Sequence, residues 1–128
     1  MAGVRGLDHI NLRVPAELLE PVRSFYIDLV GLSDGFRPPM GSGSKGYWLY
    51  AGDHAVLHLS TSNTGSSTGL GNGCFSHVAF ACTDLPATSA RLEAAAVPHR
   101  TVVLDEGAQV QIFVVDPAGI TVELNFRR

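Results

Sequence analysis

The chain repeats itself. Asp8-His9-Ile10-Asn11-Leu12-Arg13-Val14 aligns with Ser76-His77-Val78-Ala79-Phe80-Ala81-Cys82, each a His on a strand that leads into a helix. Ala55-Val56-Leu57-His58-Leu59-Ser60 aligns with Ile120-Thr121-Val122-Glu123-Leu124-Asn125, each a single donor residue between apolar neighbours. A repeat this long is a duplicated module, not a solenoid unit. It commits the chain to one local topology made twice.

Hydrophobic period fills in that topology. Leu7 to Val14 alternates as a strand that Pro15 closes. Apolar residues at Leu18, Leu19, Val22, Phe25, Tyr26, Leu29 and Val30 predict a helix ending at Gly31. Pro21 either kinks that helix or marks its true start. A short strand over 32–36, a Gly/Ser loop over 38–46, and strands over 47–51 and 55–60 complete module one. The turn Gly52-Asp53-His54 leaves His54 exposed. After a Ser/Thr/Asn/Gly-rich stretch over 61–73, with the composition of a linker, the order starts again. Cys74 to Cys82 is a strand, and Thr83 or Asp84 caps a helix with Pro86 near its first position. The helix body is 87–96, and strands follow over 99–104, 110–115 and 120–126.

The expected fold is therefore α+β: two βαβββ modules forming a curved, cup-like mixed sheet with helices on the convex side. Module one covers about 5–60, the linker about 61–73 and module two about 74–128, within a single domain over 1–128.

The last hairpin sets one register. In Asp116-Pro117-Ala118-Gly119, Pro117 presets a turn, Asp116 can bond its own backbone and Gly119 accepts positive φ. Ile120, Val122, Leu124 and Phe126 then share an apolar face, and Thr121, Glu123 and Asn125 the other. Glu is disfavoured in a strand, so Glu123 meets either solvent or a partner.

Composition removes several function classes. With 45% hydrophobic and 16% charged residues the chain can build a core. A net charge of −3 and a single lysine, Lys45, argue against nucleic acid or an anionic membrane as partner. No apolar run approaches a membrane span, and the N-terminus has no signal-peptide core. Two cysteines, Cys74 and Cys82, fit neither a disulfide scaffold nor a CxxC site, so a reducing cytoplasm is the expected location.

Four donors recur at matching places. His9 shares a face with Asn11 and Arg13, His58 with Ser60, His77 with Ala79, and Glu123 with Asn125. Each of those faces lies opposite the apolar one, so all four belong to the concave side of the sheet. A lone strand His is more often structural than a ligand; the coincidence of four is what points to a metal. Three imidazoles and a carboxylate suit Zn, Ni, Co, Fe or Mn. Arg13, on the same side, needs an anion: Glu123, or a substrate carboxylate or phosphate. Asn11 and Asn125 flank the donors as candidate substrate contacts.

These residues resemble the vicinal oxygen chelate superfamily, which includes glyoxalase I, extradiol dioxygenases, fosfomycin-resistance thiol transferases and bleomycin-resistance proteins. The marks are Asp8-His9-Ile10, Ser24-Phe25-Tyr26 with Gly31-Leu32, Ser76-His77-Val78-Ala79-Phe80, and Asp116-Pro117-Ala118-Gly119 leading to Glu123-Leu124. The resemblance covers the whole chain. It implies paired modules in a homodimer with sites between modules, and a divalent metal chelating two neighbouring oxygens of a small-molecule substrate. It implies His9, His58, His77 and Glu123 as ligands, and lyase or isomerase chemistry through an enediolate with Glu123 as base. Glyoxalase I has Glu where His58 stands, and Asp105-Glu106-Gly107 replaces its Lys-Gly-Gly. Extradiol dioxygenases and fosfomycin transferases use a triad matching His9, His77 and Glu123, but Phe113 replaces the dioxygenase Tyr. A metal-free ligand-binding dimer of the bleomycin-resistance kind is the rival from another class.

Overall fold

The computed structural model describes residues 3, 6–39, 45–61, 75 and 77–128. Most of the expected linker, part of the loop over 38–46, Cys74 and Ser76 lie outside the described residues.

Module one contributes strands β1 (Ile10–Val14), β2 (Ser33–Gly35), β3 (Gly46–Ala51) and β4 (His54–Thr61), in the sheet order β1-β4-β3-β2. Module two contributes β5 (Val78–Ala81), β6 (Arg100–Leu104), β7 (Gln109–Val115) and β8 (Thr121–Arg127), in the equivalent order β5-β8-β7-β6. In both sheets the first strand pairs parallel with the last, and the remaining pairs are antiparallel. The duplication extends to register: Asn11 stands opposite His58 as Ala79 stands opposite Glu123. Across the next pair, Trp48 faces His58 as Phe113 faces Glu123.

Each sheet leaves its apolar face to a helix. In module one a 3-10 turn at Ala16–Leu18 leads into α1 (Leu19–Ser24), which widens into a π-helical stretch, Phe25–Val30. Pro21 is the third residue of α1, within the first turn, where backbone N–H groups have no intrahelical partner, so the helix begins two residues before it and accommodates it. Gly31 ends the helix at φ 101°, in the left-handed region. In module two, α2 (Leu85–Ala94) is capped by Asp84, whose side chain accepts from the Ala87 N–H at 3.1 Å. The helix stops short of Ala96 because that residue turns left-handed at φ 54° and the Val97 N–H closes back on the Leu92 carbonyl. Placing an alanine rather than a glycine there costs about 1 kcal/mol.

The two helix-facing sides make one core. Val22, Tyr26, Leu49 and Leu57 from module one and Leu92, Ile112 and Val122 from module two are all at 0% exposure. Each such aliphatic side chain contributes roughly 1.5–3 kcal/mol relative to staying in water. One polar contact spans the modules inside this core. The Tyr26 hydroxyl donates to Asp116 Oδ2 at 2.7 Å, across 90 residues of sequence. Asp116 Oδ1 accepts from the Ala118 and Ile120 N–H groups, both at 2.8 Å. A buried carboxylate stays charged only with such donors around it. The Asp116-Pro117 turn is thus tied to the helix of the other module as well as to its own backbone.

Candidate metal centre

The strand alternation expected for the last hairpin holds. Val122, Leu124 and Phe126 are buried against the core, with Gly119 at φ 89° in the turn. Glu123 therefore points to the other side of β8, yet it is only 5% exposed. It has partners. His77 Nε2 lies 3.3 Å from Glu123 Oε1, and the Gln111 amide donates to Oε2 at 3.0 Å. Each carboxylate oxygen thus has one partner, and among the described residues no ion pair joins Glu123 to Arg13, one of the two anions that Arg13 was expected to meet. Phe113, directly opposite Glu123, makes a T-shaped contact with the His77 ring, with centroids 6.1 Å apart and planes 78° from parallel.

Module one arranges its two donors differently. The rings of His9 and His58 stack with centroids 3.8 Å apart and planes 16° from parallel. His58 also stacks on Trp48, at 3.9 Å and 7°. It is thus held between two rings. Burial, and then the neighbouring His9 imidazole, push the His58 pKa below its ordinary value, which favours the neutral form. His9 Nδ1 sits 2.7 Å from Asp8 Oδ1, and that hydrogen bond lowers the Asp8 pKa. An N–H donated from Nδ1 leaves Nε2 as the free lone pair, the arrangement in which a carboxylate orients a ligating histidine. His54, expected in a turn, is the first residue of β4, and its Nε2–H donates to the Asp8 carbonyl at 2.7 Å. A hollow of about 330 Å³ lined by Asp8, His9, Trp48 and His58 opens over this face.

The candidate contacts lie where alternation puts them. Asn11 accepts from the Ser60 hydroxyl at 3.3 Å, and Asn125 accepts from the Gln109 amide at 2.9 Å. Arg13 is exposed on the His9 side of β1. Cys82 turns toward the core side, and burial raises its thiol pKa.

Within one chain the four donors thus form two pairs, His9 with His58 and His77 with Glu123. Among the described residues, no group of three or more metal-type side chains gathers in one place. A larger cleft of about 390 Å³, between β2–β3 and α2, contains none of the four. Gln111 and Trp48 were not singled out in sequence. The signal for both is register: each occupies the strand beside a donor, on the same face.

The donor chemistry fits a divalent cation. A buried carboxylate beside an imidazole, and a second imidazole oriented by an aspartate, are ligands of the type such ions prefer. His58 is the exception. Lone pairs lie in the ring plane, so two nearly parallel rings 3.8 Å apart cannot both aim at one ion.

Two four-stranded mixed sheets of identical strand order, each backed by a helix, with polar donors on the face away from the core, define a paired-module α+β protein. The chain belongs to the Glyoxalase/Bleomycin resistance protein/Dioxygenase superfamily, whose family profile matches residues 6–124. Its fold is similar to that of a glyoxalase family protein from Bacillus anthracis, with a TM-score of 0.80 at 18% identity, covering 100% of this chain and 99% of that one. Glyoxalase I of Leishmania major, described as trypanothione-dependent, matches with a TM-score of 0.71 at 23% identity over 94% of this chain and 86% of that one. The fosfomycin resistance protein FosX of Listeria monocytogenes matches with a TM-score of 0.66 at 17% identity, over 98% and 94% of the two chains. No protein of curated function matches the sequence. At these identities the neighbours establish the fold, and one fold hosts many reactions.

Proposed function

We propose that this chain is a metal-dependent enzyme acting on a small molecule with two adjacent oxygens, by lyase or isomerase chemistry with Glu123 as the base. The observation that carries this reading is the His77–Glu123 pair: a carboxylate 5% exposed, 3.3 Å from an imidazole and fixed by Gln111. His9, His77 and Glu123 would hold the ion, and their donor types suit Zn, Ni, Co, Fe or Mn. When bound, such an ion supplies Lewis-acid polarisation of the substrate's adjacent oxygens. Glu123 is the only carboxylate on the concave strand faces among the described residues, so a proton leaving a carbon that bears one of those oxygens goes to it, for return to the neighbouring carbon. Gln111 keeps that carboxylate aimed, and Phe113 and Trp48 wall the two halves with apolar rings.

The separation of the donors into two pairs supports a homodimer in which one protomer's His9 half meets its partner's His77–Glu123 half. The cytoplasm is the proposed place of action; among the described residues no helix is long and apolar enough to cross a membrane. The His9–His58 stack favours a second reading. If His58 stays out of the ligand set, a two-His, one-carboxylate triad remains, which suits ring-opening dioxygenation or thiol transfer as well.

Metal content of the purified dimer, followed by turnover with hemithioacetals, catechols and fosfomycin, tests these readings. About one divalent ion per donor set is expected. Protein that carries none, and takes up none, is instead a metal-free ligand-binding dimer of the bleomycin-resistance kind.

A further inference from the structure

One cation lies in line with the candidate centre and takes no part in it. Arg100 stands opposite Phe113, and Phe113 stands opposite Glu123, so the three form a row across β6, β7 and β8 on one face. The Arg100 guanidinium carbon lies 4.6 Å from the centre of the Phe113 ring, and the His77 ring lies nearly perpendicular to the same ring, 6.1 Å away between centroids. Phe113 is therefore a shared floor, with the cation at one end and the donor pair at the other. Strand spacing of about 4.8 Å puts the Arg100 and Glu123 backbones about 10 Å apart. A molecule a few bonds long spans that gap.

Contact with an aromatic ring covers the guanidinium's face and leaves the five N–H donors of this exposed side chain to water, which a ligand can displace. Among the described residues, no carboxylate stands within ion-pair distance of Arg100. By alternation, Arg13, Arg100 and Arg127 share the concave side with one carboxylate among the described residues, Glu123, and that one already has His77 and Gln111 as partners. In module one, Gly35 occupies the place of Arg100, opposite Trp48, and offers no side chain.

We infer that Arg100 is the anion anchor of the site, and that the substrate carries a carboxylate a few bonds from its two adjacent oxygens. This rests on the metal reading above for the oxygens, and on the Arg100–Phe113–Glu123 row alone for the carboxylate. An Arg in this setting binds a carboxylate through two parallel N–H donors, a geometry that lysine cannot reproduce.

Two arms of one binding experiment separate the claims. In the first, protein as purified is titrated with benzoate and with its neutral isostere benzamide. Benzoate is expected to bind about tenfold tighter or more, the ratio for one charge-assisted hydrogen bond. Arg100→Gln abolishes the preference, and Arg100→Lys keeps part of it. In the second, zinc-supplied protein is titrated with 3,4-dihydroxybenzoate and with catechol. The dihydroxybenzoate advantage should vanish in Arg100→Gln, with catechol and zinc affinity unchanged. Equal binding of benzoate and benzamide by the unaltered protein, or a preference that survives Arg100→Gln, overturns the anchor. No zinc uptake, with the benzoate preference present and lost in Arg100→Gln, overturns the metal reading and upholds the anchor.

Discussion

The two modules share topology and register but differ in what their donor positions can support. Glu123 in module two is buried and held by Gln111 and His77. His58, its counterpart in module one, is clamped between aromatic rings. The strand beside each donor explains the difference. Gln111 stands opposite Asn125, and at the matching place in module one Gly46 stands opposite Ser60. A Cβ added at Gly46 would come within 1.9 Å of the Leu59 carbonyl oxygen. No donor side chain can be carried there without moving the strand. A buried carboxylate without a donor is costly, whereas the His58 imidazole is held by two stacked rings and a hydrogen bond to the Ala55 backbone. The residue that departs from the glyoxalase I pattern thus sits where the backbone cannot support a buried Glu.

The largest effect that can break this comparison is loss of the module-two pair. Glu123→Ala and His77→Ala are each expected to lower metal affinity by more than about 100-fold, beyond the 10–100-fold typical of a supporting residue. Gln111→Leu, which removes only the support, should fall within that 10–100-fold range. Calorimetric titration with zinc measures all three, and circular dichroism confirms that each variant is folded. If Glu123→Ala binds metal as well as the unaltered chain, the centre is elsewhere.

The next effect lies between the modules. Tyr26→Phe removes the hydroxyl donor from Asp116 and leaves that buried carboxylate two backbone N–H partners. A loss of roughly 1.5–3 kcal/mol is expected, read from urea unfolding. The same residue gives stability a pH dependence. Burial, and then the Asp116 charge, raise the Tyr26 pKa above its ordinary 10.0. The folded chain therefore keeps a proton that the unfolded chain loses. The stabilisation is fully present below pH 10.0 and is lost as pH rises from there toward the folded value. Tyr26→Phe should flatten that alkaline slope. Part of the slope remains with Tyr47, whose pKa is raised by its hydrogen bond to Glu20. An unchanged slope would mean that Tyr26 is not the group responsible.

How much of this was legible beforehand follows from the range of each interaction. Strand alternation is local, and it placed Glu123, His58, Asn11 and Asn125 on their faces correctly. The duplication carried the topology. Helix edges were less legible: α2 ends at Ala94 because Ala96 turns left-handed, a conformation its side chain does not signal. The Tyr26–Asp116 bond joins residues 90 apart and leaves no periodic trace. For the same reason the sequence lined up four donors but could not say that one chain holds them as two pairs. Gln111 carries no signal in sequence, because a Gln on a strand face is ordinary until its cross-strand neighbour is known.

The smallest expected effect is the sharpest test of the asymmetry. His58→Phe keeps an aromatic ring between Trp48 and His9 and deletes both nitrogens. If the stack positions His9 rather than ligating beside it, zinc affinity should change by less than about tenfold, below the range for a lost supporting hydrogen bond. His58→Ala removes the ring, so it should weaken binding more than His58→Phe does. Trp48 is the only tryptophan of the chain, and its emission reports the stack directly. It should change in His58→Ala and on zinc binding by the unaltered protein, where His9 is drawn onto the ion. A loss of more than about 100-fold in His58→Phe would instead make His58 a fourth ligand. That result would require the His9 and His58 rings to leave their near-parallel arrangement when the ion binds, and the two modules would then be equivalent in chemistry as well as in register.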